Sequence, residues 1–205
     1  MLYGEGPVAV LIHGGFWKAQ YGLDLMEPLA HDLAARGWTA WNVEYRRIGN
    51  GGGVPETLDD VSAAIDLLAE LPVDRSRVVT IGHSAGGHLA AWAATRESPR
   101  VAVTGVVSQA GVLDLQRARE LRLSNGIVDV FLGDHPSDLA SPIERLPLGV
   151  PVLLTHGGRD DIVPPEISER FAAASGASLI VEPDEDHFGH IDPDNPLWKA
   201  VLAWL

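Results

Sequence analysis

Short apolar runs alternate with longer stretches whose apolar residues fall three and four apart, and this alternation continues along the whole chain. Pro7 to His13 (PVAVLIH), Thr39 to Tyr45 (TAWNVEY), Arg77 to Gly82 (RVVTIG), Val101 to Ser108 (VAVTGVVS), Pro151 to His156 (PVLLTH) and Ser178 to Glu182 (SLIVE) have the length and β-branched content of buried strands. Leu25 to Arg36, Thr57 to Glu70, Gly86 to Thr95, Pro165 to Ala174 and Pro196 to Leu205 carry the helical spacing between and after them. Strand and helix in turn predict a parallel sheet covered on both faces, a three-layer α/β/α sandwich with six strands. Gly37 stands where a helix must stop, and Pro165 suits a first helical turn because the donor it lacks has no partner there. Gly49 to Gly53 reads as a flexible loop. Gly111 to Gly149 offers helical fragments broken by Gly and Pro, and is expected to be a small irregular insertion beside the strand ends.

Composition narrows the function classes. At 205 residues and 46% hydrophobic, the chain is expected to form one domain, residues 1–205, with a sizeable core. A formal charge of −13 with no Lys/Arg cluster argues against nucleic acid and anionic membranes as partners. Absence of cysteine removes disulfides and thiolate metal sites. The opening MLYGEGPVAVLIHGG has no basic region before its apolar run, which is also too short to span a bilayer. The expectation is a cytoplasmic protein with neither signal peptide nor anchor.

In open parallel sheets the ligand crevice lies outside the carboxyl ends of the strands. Those positions hold His13-Gly14-Gly15, His83-Ser84, the segment His156 to Asp161, and the segment Asp184 to His190. Gly82, Ser84 and Gly86 match GxSxG, the turn that pushes a nucleophilic serine out between strand and helix. Serine is also an ordinary N-cap residue, so the strand before it and the helix after it are what give the pattern meaning. A serine hydroxyl needs a base, and the base needs an orienting acid. His187 and Asp160 fill these roles in the chain order serine, acid, histidine. His190 is the rival base and Asp161 the rival acid, while His83 and His88 flank the serine as supporting residues. Asp184, Asp186, His187, His190, Asp192 and Asp194 form the alternative, a divalent-metal cluster, against the simpler reading of a solvated acidic loop. Backbone amides of Gly14 and Gly15, together with that of Ala85 after the serine, are the candidate oxyanion donors. No cofactor and no metal are expected.

These residues resemble the α/β-hydrolase fold, in its esterase and kynurenine formamidase-like branch. His13-Gly14-Gly15-Phe16-Trp17 is similar to the HGGxW oxyanion loop of that branch, and Glu44-Tyr45-Arg46-Arg47 to the EYR segment after its next strand. Gly82 to Ala90 resembles GHSAGxHLA, and the segment HGGRDDIVP resembles HGxxDxxVP, with Asp160 at the position of the family's acid and His187 where it carries its histidine. Phe16 stands where the hormone-sensitive-lipase-like branch has a third glycine. The resemblance implies a serine hydrolase acting on a small ester or amide, with a carboxylic ester or an aryl formamide as substrate. Hydrolases of this fold usually have two further strands before the oxyanion loop, so the sheet is expected to be all-parallel, in the family's strand order 4-3-5-6-7-8. Loss of that edge would leave Thr39 to Tyr45 bare, to be covered by a homodimer partner or by another segment. Trp17 is expected in the core or bordering an aromatic substrate. A non-catalytic binding or sensing protein on the same scaffold is the reading from a different class.

Overall fold

The computed structural model describes residues 1–205. Its sheet has seven strands, β1 (Leu2–Tyr3), β2 (Pro7–Ile12), β3 (Thr39–Val43), β4 (Asp74–His83), β5 (Gly105–Gln109), β6 (Val152–Gly157) and β7 (Ser178–Glu182). Their spatial order is β1-β3-β2-β4-β5-β6-β7. The six expected strands are all present, parallel, and in the expected order. The expectation of an all-parallel sheet is corrected, and of the two covers expected for the β3 edge the structure shows a segment of the chain itself. Leu2 and Tyr3 pair antiparallel with Trp41 and Ala40, and Asn42 N–H donates to Met1 O at 2.8 Å. Gly6 makes the return to β2, since its φ of +122° favours glycine and a Cβ there would lie 2.1 Å from Gly37 O. A covering segment therefore meets the need for which a dimer was invoked.

Seven helices accompany the strands: α1 (Glu27–Ala35), α2 (Glu56–Asp66), α3 (Ala85–Ala93), α4 (Leu115–Glu120), α5 (Leu123–Leu132), α6 (Glu166–Ser175) and α7 (Pro196–Trp204). β2 shows why the sheet is covered on both sides. Val8, Val10 and Ile12 pack into the layer of α2, α3 and α6, while Ala9 and Leu11 pack against Leu29 and Leu33 of α1 and share their cluster with Trp198 of α7. Continuous apolarity in a strand is the sequence signature of that double burial. Pro196 opens α7, and the Asn195 side chain before it accepts from Leu197 N–H at 2.9 Å. Residues 111–149 form α4, α5 and two short 3₁₀ turns above the strand ends. Asp114 caps α4 by accepting from Arg117 N–H, and His88 Nε2 lies 2.9 Å from Ala140 O, pinning the segment to α3. No helix is long and apolar enough to cross a membrane.

Candidate active site

β4 ends at His83, and the chain turns through Ser84 with φ 57° and ψ −120°, a conformation L-residues adopt only under constraint. Ser84 N–H donates to Gln109 O at 2.7 Å, and Ser84 O accepts from His88 N–H at 3.1 Å. A Cβ on Gly82 would lie 2.0 Å from Gly86 O, and one on Gly86 1.9 Å from Ile12 O. Both glycines of the GxSxG pattern are thus steric requirements of the turn. Ser84 stands at the N-cap of α3 but its side chain makes no capping hydrogen bond. Its hydroxyl is not spent on the helix, which disfavours the simple N-cap reading.

Asp160 lies in the loop after β6 and is buried. Its Oδ1 accepts from the backbone N–H groups of Ile162 (2.9 Å) and Val163 (2.8 Å), and its Oδ2 lies 2.6 Å from His187 Nδ1. His156 Nε2 lies 3.2 Å from the same Oδ2, and 2.8 Å from Val163 O. Burial alone would push this carboxyl up, but the hydrogen bonds from His156 and His187, the nearby imidazole of His187 and the Val163 amide outweigh it and hold Asp160 well below the usual carboxylate range. An ionised Asp160 fixes the proton of His187 on Nδ1 and leaves Nε2 as the acceptor. Asp161 is exposed. His190 is buried with Nδ1 3.2 Å from Thr155 Oγ1, away from the contact that Asp160 makes with His187.

The flanking histidines hold backbone. His83 Nε2 donates to His187 O at 2.8 Å, and the two rings lie 4.6 Å apart. Burial, followed by the neighbouring His187, pushes His83 down to about 3, and burial pushes His88 down to about 4. Both rings are neutral near pH 7. Acidic residues of the 184–194 loop are otherwise engaged: Asp184 pairs at the surface with Arg159 of the loop after β6, while Asp186 and Asp192 serve local turns, accepting from Phe188 N–H at 2.8 Å and from Asp194 N–H at 2.9 Å. No group of three or more His, Asp or Glu side chains is arranged to hold a metal ion.

The loop after β2 approaches the serine from the other side. A Cβ on Gly14 would lie 2.8 Å from His83 O and 3.0 Å from Ser84 Cβ, so only glycine lets these backbones meet. Left-handed backbone then runs through Gly15 (φ 102°), Phe16 (φ 49°) and Trp17 (φ 54°). The amides of Gly15 and Phe16 donate to no group within the protein. Glu44 and Tyr45 hold the loop from β3. His13 Nε2 lies 2.8 Å from Glu44 Oε1, the Tyr45 hydroxyl donates to His13 O at 2.7 Å, and the two rings stack 4.3 Å apart. Burial would raise the Glu44 carboxyl, but hydrogen bonds from His13 and the Tyr45 amide, with Arg47 beside them, hold it at about 2. Arg47 bridges Glu44 Oε1 (3.0 Å) to Tyr21 O. Trp17 is wholly buried, stacked 4.2 Å from Phe131, and belongs to the core.

Ser84, His187, Gly15 and Phe16 line one cavity of about 250 Å³. Gly14 and Asp160 stand behind it. The residue types point to the amides of Gly14 and Gly15 as the loop's candidate donors; Phe16 is a further candidate that they do not signal, because nothing in them shows that the left-handed path continues past Gly15. Sequence reasoning also left Glu44 and Tyr45 as landmarks without a task, although a charged residue next to a buried tyrosine at a strand end was a signal for one.

Comparison with known proteins agrees with this architecture. The esterase LipC of Mycobacterium tuberculosis is 30% identical over 194 residues, covering 80% of this chain and 47% of LipC. The esterase LipQ of the same organism is 28% identical over 202 residues, covering 86% of this chain and 48% of LipQ. The chain thus spans about half the length of these two relatives. A propionate-bound thermophilic esterase from Thermogutta terrifontis superposes with a TM-score of 0.77 at 26% identity, covering 99% of this chain and 85% of that one. A phosphonate-inhibited esterase B from Lactobacillus rhamnosis superposes with a TM-score of 0.82 at 19% identity, covering 98% and 75%, a likeness of fold. Residues 3–174 match the BD-FAE family across most of the chain, and with the α/β-hydrolase sheet already described, this protein belongs to that family.

Proposed function

We propose that this chain is a serine hydrolase that cleaves small carboxylic esters through an acyl-enzyme on Ser84. The observation that carries the reading is the 2.6 Å contact between Asp160 and His187 Nδ1, made by a histidine that shares its cavity with a serine hydroxyl free of capping duty. In the forward step Ser84 Oγ attacks the ester carbonyl carbon and its proton passes to His187 Nε2. Negative charge developing on the carbonyl oxygen is met by the amides of Gly15, Phe16 and Ala85, the last at the first position of α3, where no intrahelical acceptor exists. Gly14, the other candidate donor of this loop, also lets the loop approach the serine. Collapse of the tetrahedral intermediate breaks the bond to the alcohol oxygen, which takes the proton from His187. Water then repeats the sequence on the acyl-serine and releases the acid.

The esterase relatives support the reaction class, and the propionate carried by the Thermogutta esterase supports a short acyl group. Phe16, Tyr21 and Phe188 on the cavity wall support an aryl leaving group, ester or formamide. Purified protein is expected to hydrolyse p-nitrophenyl butyrate, and Ser84→Ala to lower kcat on the order of a millionfold. Unchanged turnover in Ser84→Ala would refute the nucleophile. A folded wild-type chain that binds such esters without cleaving them would favour the non-catalytic scaffold instead.

A further inference from the structure

The chain has 28 acidic residues and a formal charge of −13, yet no Asp or Glu lines the cavity. Its one fully charged lining group is Lys18, one of only two lysines in the sequence. The base of that side chain is fixed, because Lys18 N–H donates to Gly15 O at 3.0 Å and Ala19 N–H to Ile48 O at 3.0 Å. Its ammonium donates to Ser124 Oγ at 2.7 Å and has no carboxylate partner. Ser124 is presented by a left-handed turn, with φ of 45°, 61° and 81° at Ser124, Asn125 and Gly126. An ammonium has three donors, and a neutral hydroxyl takes one of them. A half-buried cation with spare donors, on the wall of an otherwise mostly apolar cavity, favours a compact anion over a neutral group of the same size.

We propose that Lys18 makes this cavity select esters that carry a carboxylate on the group lying against the wall formed by Lys18 and Ser124. The inference rests on the serine hydrolase reading and names its substrate class. The far field of an acidic protein repels anionic substrates, so a preference for them requires a local contact, and Lys18 is the only charged group placed to make it. A purely structural role is the competing account: the link to Ser124 would then only strap α5 to the loop after β2, and losing it would lower turnover of charged and neutral esters alike.

The test compares carboxylates with their primary amides, so that size is kept while charge is removed. One pair, 3-acetoxybenzoate and 3-acetoxybenzamide, places the charge on the leaving group; monoethyl adipate and its amide place it on the acyl group. In the wild type at low salt, kcat/KM for the carboxylate should exceed that for the amide by about tenfold or more in at least one pair. The ratio should fall towards one in Lys18→Met, persist in Lys18→Arg, and shrink as salt is raised. Because each ratio is taken within one preparation, partial misfolding of a variant cancels. Ratios near one in both wild-type pairs, or a ratio that Lys18→Met leaves unchanged, would overturn the inference while Ser84-dependent turnover still stood. Absence of any turnover that Ser84→Ala removes would overturn the hydrolase reading, and this inference with it.

Discussion

The two sides of the cavity are built differently. On one side Ser84, His83, Asp160 and His187 are buried, tied to strand ends by short hydrogen bonds, and held by glycines whose replacement would drive a Cβ into backbone. On the other, Lys18 and Ser124 are half-buried, meet across 106 residues of sequence, and depend on an irregular left-handed turn. The first side is where the proposed bond-making occurs and admits almost no change of residue type. The second is the wall to which we assign the choice of substrate. On that assignment chemistry and selectivity are separable, and substitutions should show it.

The largest separation is expected at the acid. Asp160→Asn would turn an amide donor towards His187 Nδ1, favour the wrong tautomer, and lower kcat on the order of ten-thousand-fold. Its neighbour Asp161 is exposed, and Asp161→Asn should leave ester turnover near wild type. A larger loss at Asp161 would break the assignment.

A second effect concerns stability and belongs to the buried histidines. Burial holds His83 at about 3 and His88 at about 4, and pushes His190 well below its ordinary value. Below about pH 6.5 the unfolded chain binds protons that these native rings refuse, so stability is fully present above that pH and is lost as pH falls towards 4. Each histidine contributes a slope of up to about 1.4 kcal/mol per pH unit. Urea unfolding at pH 7.5, 6 and 5 should show a steep loss between the last two, before most carboxylates titrate. A flat profile down to pH 4.5 would mean these rings take up protons in place. The smallest effect is the roughly tenfold selectivity assigned to Lys18, which would sharpen the contrast by changing a ratio of substrates rather than the chemistry itself.

The same division explains what could be read from the sequence. The inner strands were legible because double burial demands continuous apolar runs, the edge strand β7 by its short β-branched run, and the elbow because sterics demand Gly82 and Gly86 around Ser84. Strand-end placement and chain order brought the Asp160–Asp161 pair and His187 forward as candidates, and the resemblance to HGxxDxxVP set Asp160 ahead of Asp161. Leu2–Tyr3 was not legible, since two residues carry no alternation to detect. The strand β5 was placed too early, at Val101 rather than Gly105, because the apolar run begins before the ladder does. Nor could the turn at Ser124 be foreseen: SNG marks a break, but its hand and its meeting with Lys18 depend on tertiary packing.

The central claim is that Ser84 is the group that becomes covalently bonded, and it can be tested without knowing the natural ester. Treatment of the wild-type protein with a fluorophosphonate, followed by peptide mass analysis, should place one phosphonyl group on the peptide containing Ser84, with ester turnover falling in step with labelling. Modification at another residue, or a fully labelled protein that still hydrolyses p-nitrophenyl butyrate, would contradict the account.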